Sequence, residues 1–235
     1  MRGLLGVAVV SLMSALPATV EAQLLSDGFD TYAAGSLIAG QGGWETWDNN
    51  PAANTTVTAA QSASPPNSLF VAGAADIVHQ FAGVNSGLWY AKARVYVPAT
   101  QTGEVWFILL NTYVSGSPAS DNWSVQVVMC VSACTTAGAV AGSVVNIGGT
   151  DVPGTGSAPL VTNQWVDLRV EVDLTGNQYS VFYNGALLDT KQWTTTGLLQ
   201  IQAMDLFSNA SNESYMDDIW LDTTVPVELQ GFTVS

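Results

Sequence analysis

The chain has 235 residues, 48 % of them hydrophobic and 10 % charged, and its 19 acidic against 5 basic residues leave a net charge of −14. That balance excludes a nucleic-acid partner, because phosphate backbones are held by clustered Lys and Arg. Abundant Gly, Ser, Thr and Val, with few helix formers in series, favour sheets over helices.

In chain order, Arg2, the apolar run Leu4–Leu16 and the small residue Ala22 predict a signal peptide over residues 1–22, and with it export from the cell. The run breaks at Pro17, short of the roughly 20 apolar residues a span requires. No later segment qualifies, so no membrane span is expected. Removing the peptide takes away Arg2 and Glu21, one charge of each sign, and the remainder stays at −14. Residues 23–224 read as one domain, since all-β sandwiches commonly reach about 210 residues as a unit, and residues 225–235 read as a C-terminal tail.

The segment GGWETWDNN sets Trp44 and Trp47 in a Gly- and Asn-rich loop beside Glu45, Asp48 and Asn49. Rings for the apolar face of a pyranose and amides or carboxylates for its hydroxyls are the groups that recognise sugars. His79 in DIVHQF is the only histidine and reads as structural. In YAKARVYV, Ala91, Ala93, Val95 and Val97 alternate with Tyr90, Lys92, Arg94 and Tyr96, the period of a strand with one face in a core. Asn111, Tyr113, Asn122 and Trp123 flank a second loop, whereas Trp89, Trp106 and Trp220 stand in apolar strands and are expected in the core. Cys130 and Cys134, in CVSAC, are expected as a disulfide in an exported chain, with two free thiols as the alternative.

The stretch from Ala137 to Gly156 reads as a long loop or irregular hairpin. WVDLRVEVDL then alternates again, with Val166, Leu168, Val170, Val172 and Leu174 inward, and the turn signals at Thr175–Asn177 and Asn184–Gly185 make QYSVFYNGALL its antiparallel neighbour. LLQIQAMDLF and SYMDDIWL supply two further strands, and no convincing helix is found. Many strands with a turn every ten or so residues predict an all-β fold, a two-sheet antiparallel β-sandwich.

The hairpin WVDLRVEVDLTGNQYSVFYNGALL resembles that of concanavalin A-like lectins, laminin-G-like modules and laminarinase-type glucanases, and YAKARVYVP with GEVWFILL resembles the strands preceding the catalytic strand of those glucanases. The resemblance implies a concanavalin A-like jelly roll over most of Phe29 to Leu221. It also implies that the glucanase motif E-x-D-x-x-E falls on Ser124, Gln126 and Met129, which supply neither nucleophile nor acid. The lyases on a related jelly roll imply a set of Arg94, Gln126 and Tyr96, but their Gln-x-His strand requires His where Val128 stands. Glu171 and Asp173 share one strand face and form a third catalytic candidate, weaker than a solvated surface.

SDGFDTYAAGS and SYMDDIWLD resemble the paired first and last strands of sugar-binding jelly rolls that hold a structural Ca²⁺, which implies Asp27, Asp30, Asp217 and Asp218 as ligands. The expectation from sequence is therefore a secreted, non-catalytic module that binds a polysaccharide or other glycan through Trp44, Trp47 or Trp123, with Asn111, Gln126, Arg94 and Tyr96 ordering the hydroxyls. A lyase or glycoside hydrolase on the same fold, and a structural envelope or filament protein, are the alternatives.

Overall fold

The computed structural model describes residues 24–223; the expected signal peptide and tail lie outside them. In chain order the strands are β1 (Leu25–Asp27), β2 (Trp44–Thr46), β3 (Val57–Thr58), β4 (Ser68–Phe70), β5 (Asp76–Gln80), β6 (Leu88–Tyr96), β7 (Glu104–Thr112), β8 (Asn122–Cys130), β9 (Ser143–Asn146), β10 (Ser157–Pro159), β11 (Trp165–Asp173), β12 (Gln178–Tyr183), β13 (Ala186–Gln192), β14 (Ala203–Asn209) and β15 (Tyr215–Asp222). The only helical elements among the described residues are three 3-10 turns, at Trp47–Asn49, Pro51–Ala53 and Pro118–Ser120.

Two antiparallel sheets result. One runs β13-β12-β11-β6-β15-β4-β3, with β1 also on β15, and the other runs β10-β9-β8-β7-β14-β5-β2. The hairpins fall where the turn residues put them. Asn177, between β11 and β12, has φ 52°, and Asn184 and Gly185, between β12 and β13, have φ 50° and 77°, the left-handed pair that a tight two-residue hairpin requires. The Ala137–Gly156 stretch contains the short β9, which β10 then joins as an edge strand.

Strand periodicity places the core. Ala91, Ala93 and Val95 of β6 and Val166, Leu168, Val170 and Val172 of β11 are buried, and from the facing sheet Phe107, Leu109, Val125, Val127, Met204 and Leu206 close on them. Each large aliphatic side chain taken fully out of water contributes about 1.5–3 kcal/mol, so this alternation is what holds the sheets together. Trp193, to which sequence reading gave no role, is fully buried in the same core.

The chain termini of the domain meet at β15. Its pairing with β4 ends at Met216 and its pairing with β1 begins at Ile219, and a bulge with Asp218 at φ 47° fills the gap. The Asp217 carboxylate accepts hydrogen bonds from the backbone N–H of Ala63, Ser64 and Asp218, which fastens the loop before β4 to this bulge. Cys130 and Cys134 are disulfide-bonded at the end of β8.

Candidate functional site

The outer face of the seven-stranded sheet carries a second apolar cluster, separate from the core. Register explains it: Phe207 pairs with Trp106 and Trp106 with Val128, while Asp205 pairs with Ile108 and Ile108 with Gln126. Because side chains alternate along each strand, these residues all project to the same outward side. All of them but Val128 line a cleft of about 420 Å³ together with Trp47, Asp76, Pro118, Trp123 and Thr136. That size lies within the usual range for small-molecule sites.

Two loops form the upper wall and are tied to each other. Trp47 opens the 3-10 turn after β2, and its ring lies 4.8 Å from that of Tyr113. Asp48 N–H donates to the Tyr113 hydroxyl at 3.1 Å, the Asp48 carboxylate accepts the Gly116 N–H at 2.7 Å, and Asn49 Nδ2 donates to Ser115 Oγ at 2.7 Å. Trp123 is held from the other side. Its N–H donates to Thr150 Oγ1 and its carbonyl accepts the Thr150 N–H, an approach that Gly149 permits because a Cβ there would collide with the Trp123 and Ser124 backbone. The Trp47 and Trp123 rings are then nearly parallel, 12° apart in plane with centroids at 6.1 Å. Both are half-buried, so one face of the pair remains available.

The floor is polar and incompletely satisfied. Asp205 is 3 % exposed and adjoins Asp76, and one oxygen of each carboxyl, Oδ1, is buried without a hydrogen-bond partner. Burial pushes the Asp76 carboxyl up to about 6, with the hydrogen bond from Asp205 opposing the rise and the Asp48 charge adding to it. Burial, and then the Asp76 charge, raises Asp205 well above the ordinary carboxylate range. Asp205 is therefore the harder of the two to ionise, and the adjoining carboxyls resist carrying two charges at once. Trp106, 4 % exposed, has a buried Nε1 with no hydrogen-bond partner, an orphan donor in the lining of the cleft. Gln126 Nε2 donates to the Gly148 carbonyl at 2.9 Å. Thr136 is fixed by Glu104: burial alone would raise that carboxyl, but hydrogen bonds from Thr136, Asn209 and Thr135 hold it below its usual value.

Of the sugar-contact residues expected from sequence, the structure brings Trp47, Trp123 and Gln126 to this cleft and removes four others from it. Trp44 is fully buried in the core, where its Nε1 donates to the Asp27 carboxylate at 2.8 Å; the segment that reads as a loop contains the short strand β2. Asn111 is buried as well, its Nδ2 donating to Asn122 and Ser124. Arg94 and Tyr96 lie on β6 of the opposite sheet, where Arg94 is paired with Asp167 at 3.5 Å and with Asp218 at 3.7 Å. A cluster of Arg94, Tyr96 and Gln126 is therefore not formed, because the two strands belong to different sheets of the sandwich. Glu171, also on the eight-stranded sheet, pairs with Arg169 at 2.9 Å, and the Asp173 carboxylate accepts the Gly176 N–H of the next turn. Trp106 is buried as expected, but on the cleft side and not in the inter-sheet core.

The four carboxylates expected to hold calcium are engaged separately. Asp27 accepts from Phe29 N–H, the Tyr32 hydroxyl and Trp44 Nε1, and Asp30 from Asn67 N–H. Asp217 accepts three backbone N–H groups, and Asp218 accepts the Ser64 hydroxyl. Among the described residues no group of three or more His, Cys, Asp or Glu side chains converges as a metal site.

No family model and no curated protein matches the chain. Solved structures do. An endo-β-1,4-glucuronan lyase from Trichoderma reesei aligns over 86 % of this chain and 96 % of its own, at TM-score 0.53 and 9 % identity. The fold is a concanavalin A-like jelly roll. A sialidase matches at TM-score 0.55 and 9 % identity, over 86 % of this chain but 19 % of that one. The carbohydrate binding module CBM66 from Bacillus subtilis aligns at TM-score 0.48 and 10 % identity, over 77 % of this jelly roll and 95 % of the module. At such identities the likeness concerns the fold, and function has to come from the cleft itself.

Proposed function

We propose that the protein is an exported carbohydrate-binding module whose site is the cleft on the seven-stranded sheet. The observation that carries this reading is the stacked Trp47–Trp123 pair at the edge of a cleft whose floor holds the unpartnered Trp106 Nε1. A flat aromatic platform takes the C–H face of a pyranose. The disulfide supports an oxidising compartment. The test is retention on a polysaccharide panel by the wild type and by Trp47→Ala and Trp123→Ala. Retention that both variants lose supports the reading, and binding indifferent to both removes it.

One observation favours a second, hydrolytic reading: Asp205 and Asp76 adjoin in the floor of the cleft, and burial raises both carboxyls. Paired carboxyls with separated affinities are the means of acid–base chemistry. Their contact argues against the glycosidase arrangement, however, because carboxyls flanking a glycosidic bond stand about 5 Å apart in retaining enzymes and roughly 6.5–9.5 Å apart in inverting ones. New reducing ends in the same panel, abolished by Asp205→Asn, would transfer the function to this second reading.

A further inference from the structure

The placement of charge on the two sheets names the class of glycan, on the premise that the cleft binds one. Among the described residues all four Lys and Arg side chains, Lys92, Arg94, Arg169 and Lys191, stand on strands of the eight-stranded sheet. Packed sheets lie about 10 Å apart, so cations beyond the far sheet are more than a Debye length (roughly 8 Å at physiological salt) from a ligand in the cleft. Lys191, at the edge, is engaged with Asp189 and Thr155.

The groups around the cleft carry the other sign. Asp76 of β5 and Asp205 of β14 form its floor, Asp48 follows Trp47 on the turn above, and Glu45 of β2 bonds Gln80 on the same outward side. Asp121 anchors the Tyr113–Ser120 loop through the Val114 N–H, and Glu104 anchors Thr136 at the far end. From β7 and β8 the lining is Trp106, Ile108, Trp123 and Gln126, none of which ionises near neutral pH. Aromatic rings offer a surface to the C–H face of a sugar, while nothing in the lining offers a cationic fork to a carboxylate.

We propose that this cleft takes uncharged saccharides and rejects uronate-bearing ones, and that the Asp76–Asp205 pair sets the choice. A sugar carboxylate seated on the Trp47–Trp123 platform would share one partly dehydrated cleft with the Asp76 and Asp205 carboxyls. Repulsion there weakens binding on the order of tenfold or more. As pH falls through about 6 Asp76 takes up a proton, and the discrimination contracts.

The experiment uses matched polysaccharide pairs that differ only in oxidation at C6: β-1,4-glucan and β-1,4-glucuronan, and β-1,4-mannan and β-1,4-mannuronan. Affinities are measured at pH 7.5 and pH 5 and at two salt concentrations. The expected result is that the neutral member of at least one pair is bound, with its uronate at least about tenfold weaker at pH 7.5, the gap narrowing at pH 5 and at high salt. Equal affinity for both members, or preference for the uronate, overturns the proposal while leaving the glycan-binding reading intact. Binding of no member removes both. In Asp76→Asn, and in Asp76→Asn/Asp205→Asn should the single variant unfold, the neutral-to-uronate ratio at pH 7.5 should shrink. An unchanged ratio in a folded variant overturns the assignment to this pair.

Discussion

Trp47 and Trp123, one before and one after β7 in the sequence, lie 12° from parallel with ring centroids 6.1 Å apart. At that spacing no sugar fits between them, so they form one continuous surface and act together. Each side chain is half-buried, and the loops that carry them are fixed by their own hydrogen bonds. Truncating either to Ala is therefore expected to weaken glycan binding by about 2 kcal/mol or more, in the range of central aromatic anchors, with a much smaller change in the thermal midpoint. Isothermal titration and thermal denaturation on the same samples check the split. Equal losses of affinity and stability would make the pair a packing element instead.

Trp44 is the opposite case, although it stands three residues away in the same short motif. Its ring packs edge-on against His79 at 5.3 Å, and its N–H satisfies a carboxylate oxygen of Asp27. Trp44→Ala opens a large hole and strands part of that carboxylate, so a loss of about 3–5 kcal/mol in urea denaturation is expected. Trp44→Phe refills most of the volume but not the hydrogen bond, and should fall between. Folded Trp44→Phe should bind glycan as the wild type does.

These two tryptophans show what the sequence could convey. Strand periodicity and hairpin turns are local signals, and β6, β11, β12 and their turns were legible because the alternation Ala91, Ala93, Val95 and the Asn184–Gly185 turn carry them within a few residues. Trp44 and Trp47 share one composition, and only the pairing of β2 with β5 turns the first inward. Asp76 and Asp205 were missed for the same reason. Each is a lone acid in an apolar run, DIVHQ and AMDLF, and nothing nearby marks them as a pair until β14 aligns with β5. The available clue was the anomaly itself, since an acid inside a strand without local counter-charge demands a distant partner. Arg94 and Gln126 failed as a set because sequence does not state which sheet a strand joins.

Arg94 gives a direct check of that sheet assignment. Its ion pairs with Asp167 and Asp218 are long and partly solvated. Arg94→Ala is therefore expected to change stability by no more than about 1 kcal/mol and to leave glycan affinity unchanged, as measured by denaturation and by retention on whichever polysaccharide holds the wild type. A large loss of affinity would place the binding surface on the eight-stranded sheet.

Stability should peak in mildly acid solution, and the sign follows from which carboxyls are raised and which lowered. Burial pushes Asp76 and Asp217 each up to about 6, and raises Asp205 further. A carboxyl raised on folding contributes stability that is fully present below its unfolded value, about 4, and is lost as pH rises through its folded value. For Asp76 and Asp217 that window runs from about 4 to above 6. Glu104, Asp151 and Asp189 go the other way: burial would raise them, but hydrogen bonds from Thr136 to Glu104, from Thr195 and Thr196 to Asp151, and from Thr155 and Gly156 to Asp189 hold them low. Their contribution is present above about 4 and is lost as pH falls through their depressed values. The two groups together place the maximum near pH 4, where the rising and falling limbs meet, with the thermal midpoint dropping a few degrees from there toward pH 8. Asp217→Asn keeps an acceptor for the Ala63 and Ser64 N–H groups without a charge to bury, and should flatten the alkaline limb. A wild-type midpoint that climbs steadily to pH 8 at constant ionic strength would show that these carboxyls are ionised without cost in the native state.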